Sequence, residues 1–220
     1  MKYYKALLFG SIGSIVETSE IQRKSFNKAF KQYGLDWNWT KREYKNLLSK
    51  SGGKDRISRY AKKKKIEVNS VYLRNLKTKF FNNYLKKNHL KLRPGVKNLI
   101  SLCKKENIKI AFVSSTSTNN INAILYCLRN SIKKRDFNFI GNAKLVKKYK
   151  PNPDIYLLAL KKLKLKANDC VAIEDSQESL NSARRAKIKC IIFPGKFHSS
   201  KKFTGAYKKV YQLNKNIILR

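Results

Sequence analysis

Acidic residues are scarce in this chain. Its 220 residues hold 13 Asp and Glu against 51 Lys and Arg, so the formal net charge is +38. Long apolar runs are absent as well: none approaches the roughly 18 to 20 residues of a membrane span. The first apolar run, "ALLFG" after Lys5, is too short for a secretory signal, and strand-like sequence starts almost at once, which argues against a transit peptide. Cysteine is limited to Cys103, Cys127, Cys170 and Cys190, with no C-x-x-C pair and no His at metal spacing. Such thiols read as buried and free, which points to a reducing compartment, cytoplasmic or like an organellar stroma. Internal repeats and low-complexity tracts are missing too, and "KKKK" at 62–65 reads as a solvated helix end.

What is present is enough apolar residue for a packed core, 42% of the chain, which excludes wholesale disorder. Lys outnumbers Arg, and Asn, Ile, Tyr and Phe are plentiful. Two origins fit this mixture. One is codon drift in an AT-rich genome, acting on a solvated surface. The other is selection for a polyanionic partner such as RNA, an anionic membrane surface or an acidic protein. The basic residues are spread along the chain and not gathered in one arm, so either origin implies salt-sensitive, diffuse association with polyanions.

Segment 3–9, "YYKALLF", reads as a strand buried on both faces. From 19 to 88 the pattern is helical throughout: Ile21, Phe26, Ala29, Phe30 and Tyr33 recur at helical spacing before Gly34, and three further helical stretches follow. Beyond that, strand and helix alternate: "KIAFV", "FNFIG", "CVAIE" and "KCIIF" are apolar runs, each separated from the next by helical sequence. The expected fold is α/β: a doubly wound parallel sheet formed by 1–18 and 89–220, with an inserted all-helical unit at 19–88.

Four loops then meet at the carboxyl edge of the sheet, where such folds place their chemistry: 10–14, 114–118, 150–154 and 174–178. Ser114, Ser115 and Thr116 offer hydroxyl and backbone donors to a phosphate, or serve as an ordinary helix cap. Lys150 stands before a proline. Glu174 and Asp175 follow an apolar strand, where carboxylates are costly unless they hold a cation such as Mg²⁺, cap the next helix or pair with Lys150. The first loop, "GSIGS" at 10–14, holds no carboxylate, His, Cys or Lys.

Together these segments resemble the haloacid dehalogenase superfamily. "GLDWNW" (34–39), "SGGKDR" (51–56), "LRPGV" (92–96), "KPNPDIY" (150–156), "EDS" (174–176) and "FTGAY" (203–207) resemble its branch of β-phosphoglucomutases and CbbY-like sugar phosphate phosphatases. The resemblance implies a Rossmannoid core with a helical cap, a phosphorylated small-molecule substrate and Mg²⁺. It also implies a first-loop motif, D-x-D-G-T-L, whose first Asp takes the phosphoryl group and whose second moves the proton. By the same resemblance Ser114, Ser115 and Lys150 bind phosphate, Glu174 and Asp175 hold the metal, and Lys54 and Arg56 of the cap meet substrate.

The two motif aspartates are replaced, by Gly10 and Ile12. Gln22 stands where relatives commonly have His. The expectation is therefore a homologue that is catalytically impaired or inactive and retains part of a phosphate and metal site. A basic scaffold for a polyanionic partner is the alternative. If only the two side chains were missing, Asp at positions 10 and 12 would restore activity.

Overall fold

The computed structural model describes residues 2–49, 52–88, 90–198 and 202–220. The chain divides into two compact units, Met1–Glu17 with His89–Arg220, and Thr18–Asn88.

The smaller unit is helical, with α1 (Ser19–Gln32), α2 (Lys41–Leu47), α3 (Gly53–Lys64) and α4 (Ser70–Lys87). No strand occurs among its described residues. Helix α1 stops before Gly34, whose φ of 84° is a left-handed turn that glycine takes without steric penalty. Thr40 and Glu43 form a capping box at the start of α2: the Glu43 N–H donates to Thr40 Oγ1 at 3.2 Å and the Thr40 N–H to Glu43 Oε2 at 2.9 Å. Lys65 adopts the left-handed conformation that ends α3, and Lys62, Lys63 and Lys64 are exposed with it, as a solvated helix end requires.

An aromatic cluster fills this unit. Trp39 lies 4.8 Å from Phe26 and 4.7 Å from Phe30 between ring centroids, and Tyr60 meets both Trp37 and Trp39 edge-on. The Trp39 backbone N–H donates to Asn27 Oδ1, which fixes the segment before α2 against α1. Two cations are buried among these rings. Arg56 donates through Nε to the Leu47 carbonyl at 3.0 Å. Lys77 is 8% exposed, donates to Gln22 Oε1 at 2.8 Å and lies over the rings of Phe26 and Phe81. Burial pushes the Lys77 ammonium down to about 7, with repulsion from Arg56 and Arg74 adding to it.

The larger unit is built on six parallel strands: β1 (Ala6–Phe9), β2 (Lys109–Val113), β3 (Phe139–Gly141), β4 (Cys170–Glu174), β5 (Lys189–Ile192) and β6 (Lys208–Lys209), with α5 (Val96–Lys105) before β2 and α6 (Thr118–Cys127) after it. Their order across the sheet is β3-β2-β1-β4-β5-β6, so β1 is central, flanked by β2 and β4. Side chains alternate across the pleat. Ala6, Leu8, Ala111, Val113, Cys170 and Ala172 share one core cluster with Ile155, Tyr156 and Ala159 of α7 (Asp154–Leu163) and Leu180 and Ala183 of α8 (Gln177–Arg185). Leu7 and Phe9, out of step with that set, are equally buried. Burial on both faces explains why these strands read as unbroken apolar runs and not as alternation.

Two expectations shift. The first strand starts at Ala6 and not at Tyr3, which makes only an isolated bridge to Leu219. Strand β6 was not expected; it consists of two exposed lysines paired with Ile191 and Ile192. All four cysteines are buried and outside any disulfide, and burial pushes Cys103 and Cys170 up to about 12, which leaves those two inert near neutral pH. No helix among the described residues is long and apolar enough to cross a membrane.

Candidate functional site

The loop after β1 is tightly self-bonded. Gly10 continues the ladder, donating its N–H to the Ile173 carbonyl at 2.9 Å. Ser11 then caps a 3-10 turn over Ile12–Ser14, and the Ser14 N–H and hydroxyl both donate back to Ser11. Every carbonyl from 10 to 13 already accepts a hydrogen bond. The Gly10 carbonyl accepts from Lys150 Nζ, that of Ser11 from Ser14, and that of Ile12 from the N–H groups of Ile15 and Val16. The Gly13 carbonyl accepts from Arg93.

Lys150, Tyr156 and Glu174 converge beneath this loop. Glu174 ends β4 with its side chain fully buried, and that of Lys150 is 7% exposed. Lys150 Nζ donates to Glu174 Oε1 as well as to the Gly10 carbonyl. The Tyr156 hydroxyl donates to the same Oε1 at 2.6 Å. Oε2 of Glu174 is buried and has no hydrogen-bond partner. Burial drives the Glu174 carboxyl above the usual range, and the Lys150 charge opposes that shift. Burial and the neighbouring Glu174 charge push the Tyr156 phenol well above 10. Of the readings open for the Glu174–Asp175 pair, the Lys150 contact belongs to Glu174.

These groups fill the place beside Gly10. A Cβ built there would overlap Glu174 Oε1 and the Tyr156 hydroxyl at distances no real contact reaches. A carboxylate restored at position 10 would therefore need the Glu174 carboxylate and the Tyr156 hydroxyl, both at the ends of their side chains, to shift aside. A Cβ on Gly13 would likewise overlap the Asp175 carboxylate, so Asp175 packs directly against the turn.

On the neighbouring strand, Ser114 follows β2 and is buried; its Oγ accepts from the Thr116 N–H at 3.2 Å. Ser115 Oγ is buried without a hydrogen-bond partner. Ser117, and not Ser114, caps α6 (Thr118–Cys127), accepting from the Asn120 N–H. The hydroxyls of Ser114 and Ser115 are therefore not consumed by the cap. Register pairing of Phe9 with Phe112 brings their loop alongside the first one.

The donor set suits Mg²⁺ poorly. That ion demands octahedral oxygen ligands and keeps several of its waters. Position 10 offers no carboxylate, the loop carbonyls are engaged, and Lys150 and Tyr156 hold one oxygen of Glu174. The other is buried, and the neighbouring Asp175 packs on Gly13. No group of three or more His, Cys, Asp or Glu side chains able to hold a metal occurs among the described residues. The residues present do not fit the metal that the family resemblance implies.

Two residues of this constellation carried no role in the sequence reading. Tyr156 sits in α7, behind the "KPNP" turn, and only the fold brings it to Glu174. Arg93, from "LRPGV", donates to the carbonyls of Gly13, Phe193 and Pro194 and stacks on the Phe193 ring at 3.4 Å. It ties the loop after β1 to the segment after β5. In the helical unit, Lys54 is exposed in the first turn of α3, and Arg56 is buried against Tyr44 and Phe26.

Residues 13–193 match the family of haloacid dehalogenase-like hydrolases, a match that begins just past Gly10 and Ile12. CbbY from Cereibacter sphaeroides is 34% identical over 205 residues, covering 92% of this chain and 89% of its own. A CBBY-like protein from Arabidopsis thaliana is 32% identical, covering 91% of this chain and 66% of its own. The crystal structure of CbbY from Rhodobacter sphaeroides in complex with phosphate superposes with a TM-score of 0.85 at 33% identity, covering 94% of this chain and 93% of that one. The chain thus belongs to the haloacid dehalogenase-like hydrolases, in their CbbY-like branch.

Proposed function

We propose that this chain is a CbbY-type protein that binds a phosphorylated sugar and does not turn it over. One observation carries the reading: at position 10, where the resemblance puts the nucleophile, there is no side chain, and the Tyr156 hydroxyl and the Glu174 carboxylate fill the space. Without a nucleophile the covalent route is gone. Ile12 cannot exchange a proton, which forfeits a further factor of about 10² to 10⁴. Ligand binding is supported by the hydroxyl of Ser114, which donates to no described partner, and by Lys150. It is supported too by a CbbY relative, 33% identical, whose structure was solved in complex with xylulose-(1,5)bisphosphate.

Two measurements on the purified chain test this. Phosphate release from a panel of sugar phosphates and bisphosphates should not exceed the uncatalysed rate. Calorimetry with the same panel should detect binding that weakens in Ser114→Ala. Turnover at an ordinary enzymatic rate would overturn the reading.

A second reading, association with a polyanion such as single-stranded RNA, is favoured by the end of the chain. Residues 179–220 contain no Asp or Glu. Tyr207 and Tyr211 are mostly exposed there, and Lys189 and Lys209 lie 4.8 and 5.4 Å from their respective rings. Stacking aromatics between cations suit bases and phosphates. Replacing both tyrosines with Ala should weaken binding to an oligonucleotide more than binding to heparin. Equal loss would reduce this reading to diffuse charge.

A further inference from the structure

The first loop and its acidic neighbour already hold cations, and both come from the chain itself. Lys150 Nζ spans the Gly10 carbonyl and Glu174 Oε1. Arg93 sits on the Gly13 carbonyl and joins it to those of Phe193 and Pro194. An ammonium that bridges a loop carbonyl and a buried carboxylate does what a divalent ion does in such a cluster. It links backbone to acid and offsets negative charge where an anionic ligand must approach.

We infer that Lys150 serves as the resident cation of this site, so that the loop cluster holds a phosphate group without a divalent metal. The inference rests on the phosphate-binding reading above and adds to it the identity of the counter-charge. Three facts support it. An ammonium has three donors, and Lys150 spends two of them on described partners, which leaves one for a phosphate oxygen. The Ser114 hydroxyl, on the adjacent loop, accepts from the Thr116 N–H and keeps its own proton to donate. A metal would have to displace Lys150 and Tyr156 from Glu174 Oε1, or reach an Oε2 that solvent does not touch. Asp175 is the remaining carboxylate, and it packs on Gly13. A divalent ion at the site would therefore compete with Lys150 in place of assisting it.

The experiment uses the whole chain with inorganic phosphate and, separately, Mn²⁺ as probes. Phosphate affinity measured by calorimetry should be the same in EDTA and in excess Mg²⁺. The electron paramagnetic resonance signal of Mn²⁺ should stay that of the free ion. Lys150→Met should weaken phosphate binding by about tenfold or more, the scale of one charge-assisted contact. Affinity tightened about tenfold by Mg²⁺, or saturable uptake of one Mn²⁺, would overturn the inference. If Lys150→Met does not fold, the two measurements on the unmodified chain still decide. Sugar phosphate turnover with metal-independent binding would sink the proposed function alone. Mg²⁺-dependent binding without turnover would sink this inference alone, and no phosphate binding in either medium would sink both.

Discussion

The Tyr156 hydroxyl donates to Glu174 Oε1 at 2.6 Å, and the pair occupies the space that any side chain at position 10 would need. A tyrosine from a helix and a glutamate from a strand end together close what the resemblance marks as the nucleophile's place. A carboxylate placed at position 10 would thus have two groups to displace.

That volume is measurable. Gly10→Ala should destabilise the chain by about 1–3 kcal/mol, the usual cost of overpacking a buried position. Tyr156→Phe alone should cost about 1.5–3 kcal/mol, because Glu174 loses a hydrogen bond to a charged group. Combined, the two should be less damaging than their sum, since removing the hydroxyl opens part of the space the new methyl takes. Urea denaturation of the four proteins gives the coupling. Strict additivity would mean that Tyr156 does not fill the position.

Restoring the motif should fail in its simple form. Gly10→Asp with Ile12→Asp is expected to fold less well and to release no phosphate from sugar phosphates, because the new Asp meets Glu174 and Tyr156. Activity in this double variant, followed by colorimetric phosphate detection, would show that the two side chains move aside readily.

Arg93 should be a stability residue with a long reach. Its guanidinium satisfies three carbonyls from two separate segments. Lysine cannot reproduce that forked geometry, so Arg93→Lys should lose nearly as much as Arg93→Ala, on the order of 3 kcal/mol. Full retention of the urea midpoint by Arg93→Lys would show that charge alone is at work.

Lys77 gives the helical unit a pH signature. Its folded-state value of about 7 lies below the ordinary 10.5. The folded chain therefore binds fewer protons than the unfolded one between those values, and stability rises with pH across that window. Below about 7 both states carry the proton, and the full cost of burying the charge remains. The slope from this one group is at most about 1.4 kcal/mol per pH unit. Lys77→Met should flatten it, as read from urea midpoints at pH 6 and pH 9. An unchanged difference between the two pH values would place the dependence elsewhere.

Much of the fold was legible because local pattern and burial agree. Parallel strands buried on both faces give short apolar runs such as 6–9 and 170–174, and Gly34 marks a helix end by its conformation. Ser114, Glu174 and Asp175 were found as polar residues just past such runs, and Lys150 by the proline that follows it. Legibility ended where partners are distant in the chain. Arg93 bonds to residues 80 to 101 positions away, and no spacing rule announces such a bond. Tyr156 reads as a buried core aromatic of α7, and its hydroxyl acquires meaning only against Gly10. Strand β6, two exposed lysines paired with β5, leaves no hydrophobic trace.

The filled position 10 also shapes how this chain can change by mutation. Under the proposed reading, a single change to Asp at position 10 brings a carboxylate for which Tyr156 and Glu174 must first give way. Removing Tyr156 first strips a hydrogen bond from a buried carboxylate and gains nothing either. On that reading each single change costs stability before any gain, and the packing around one glycine works as a ratchet.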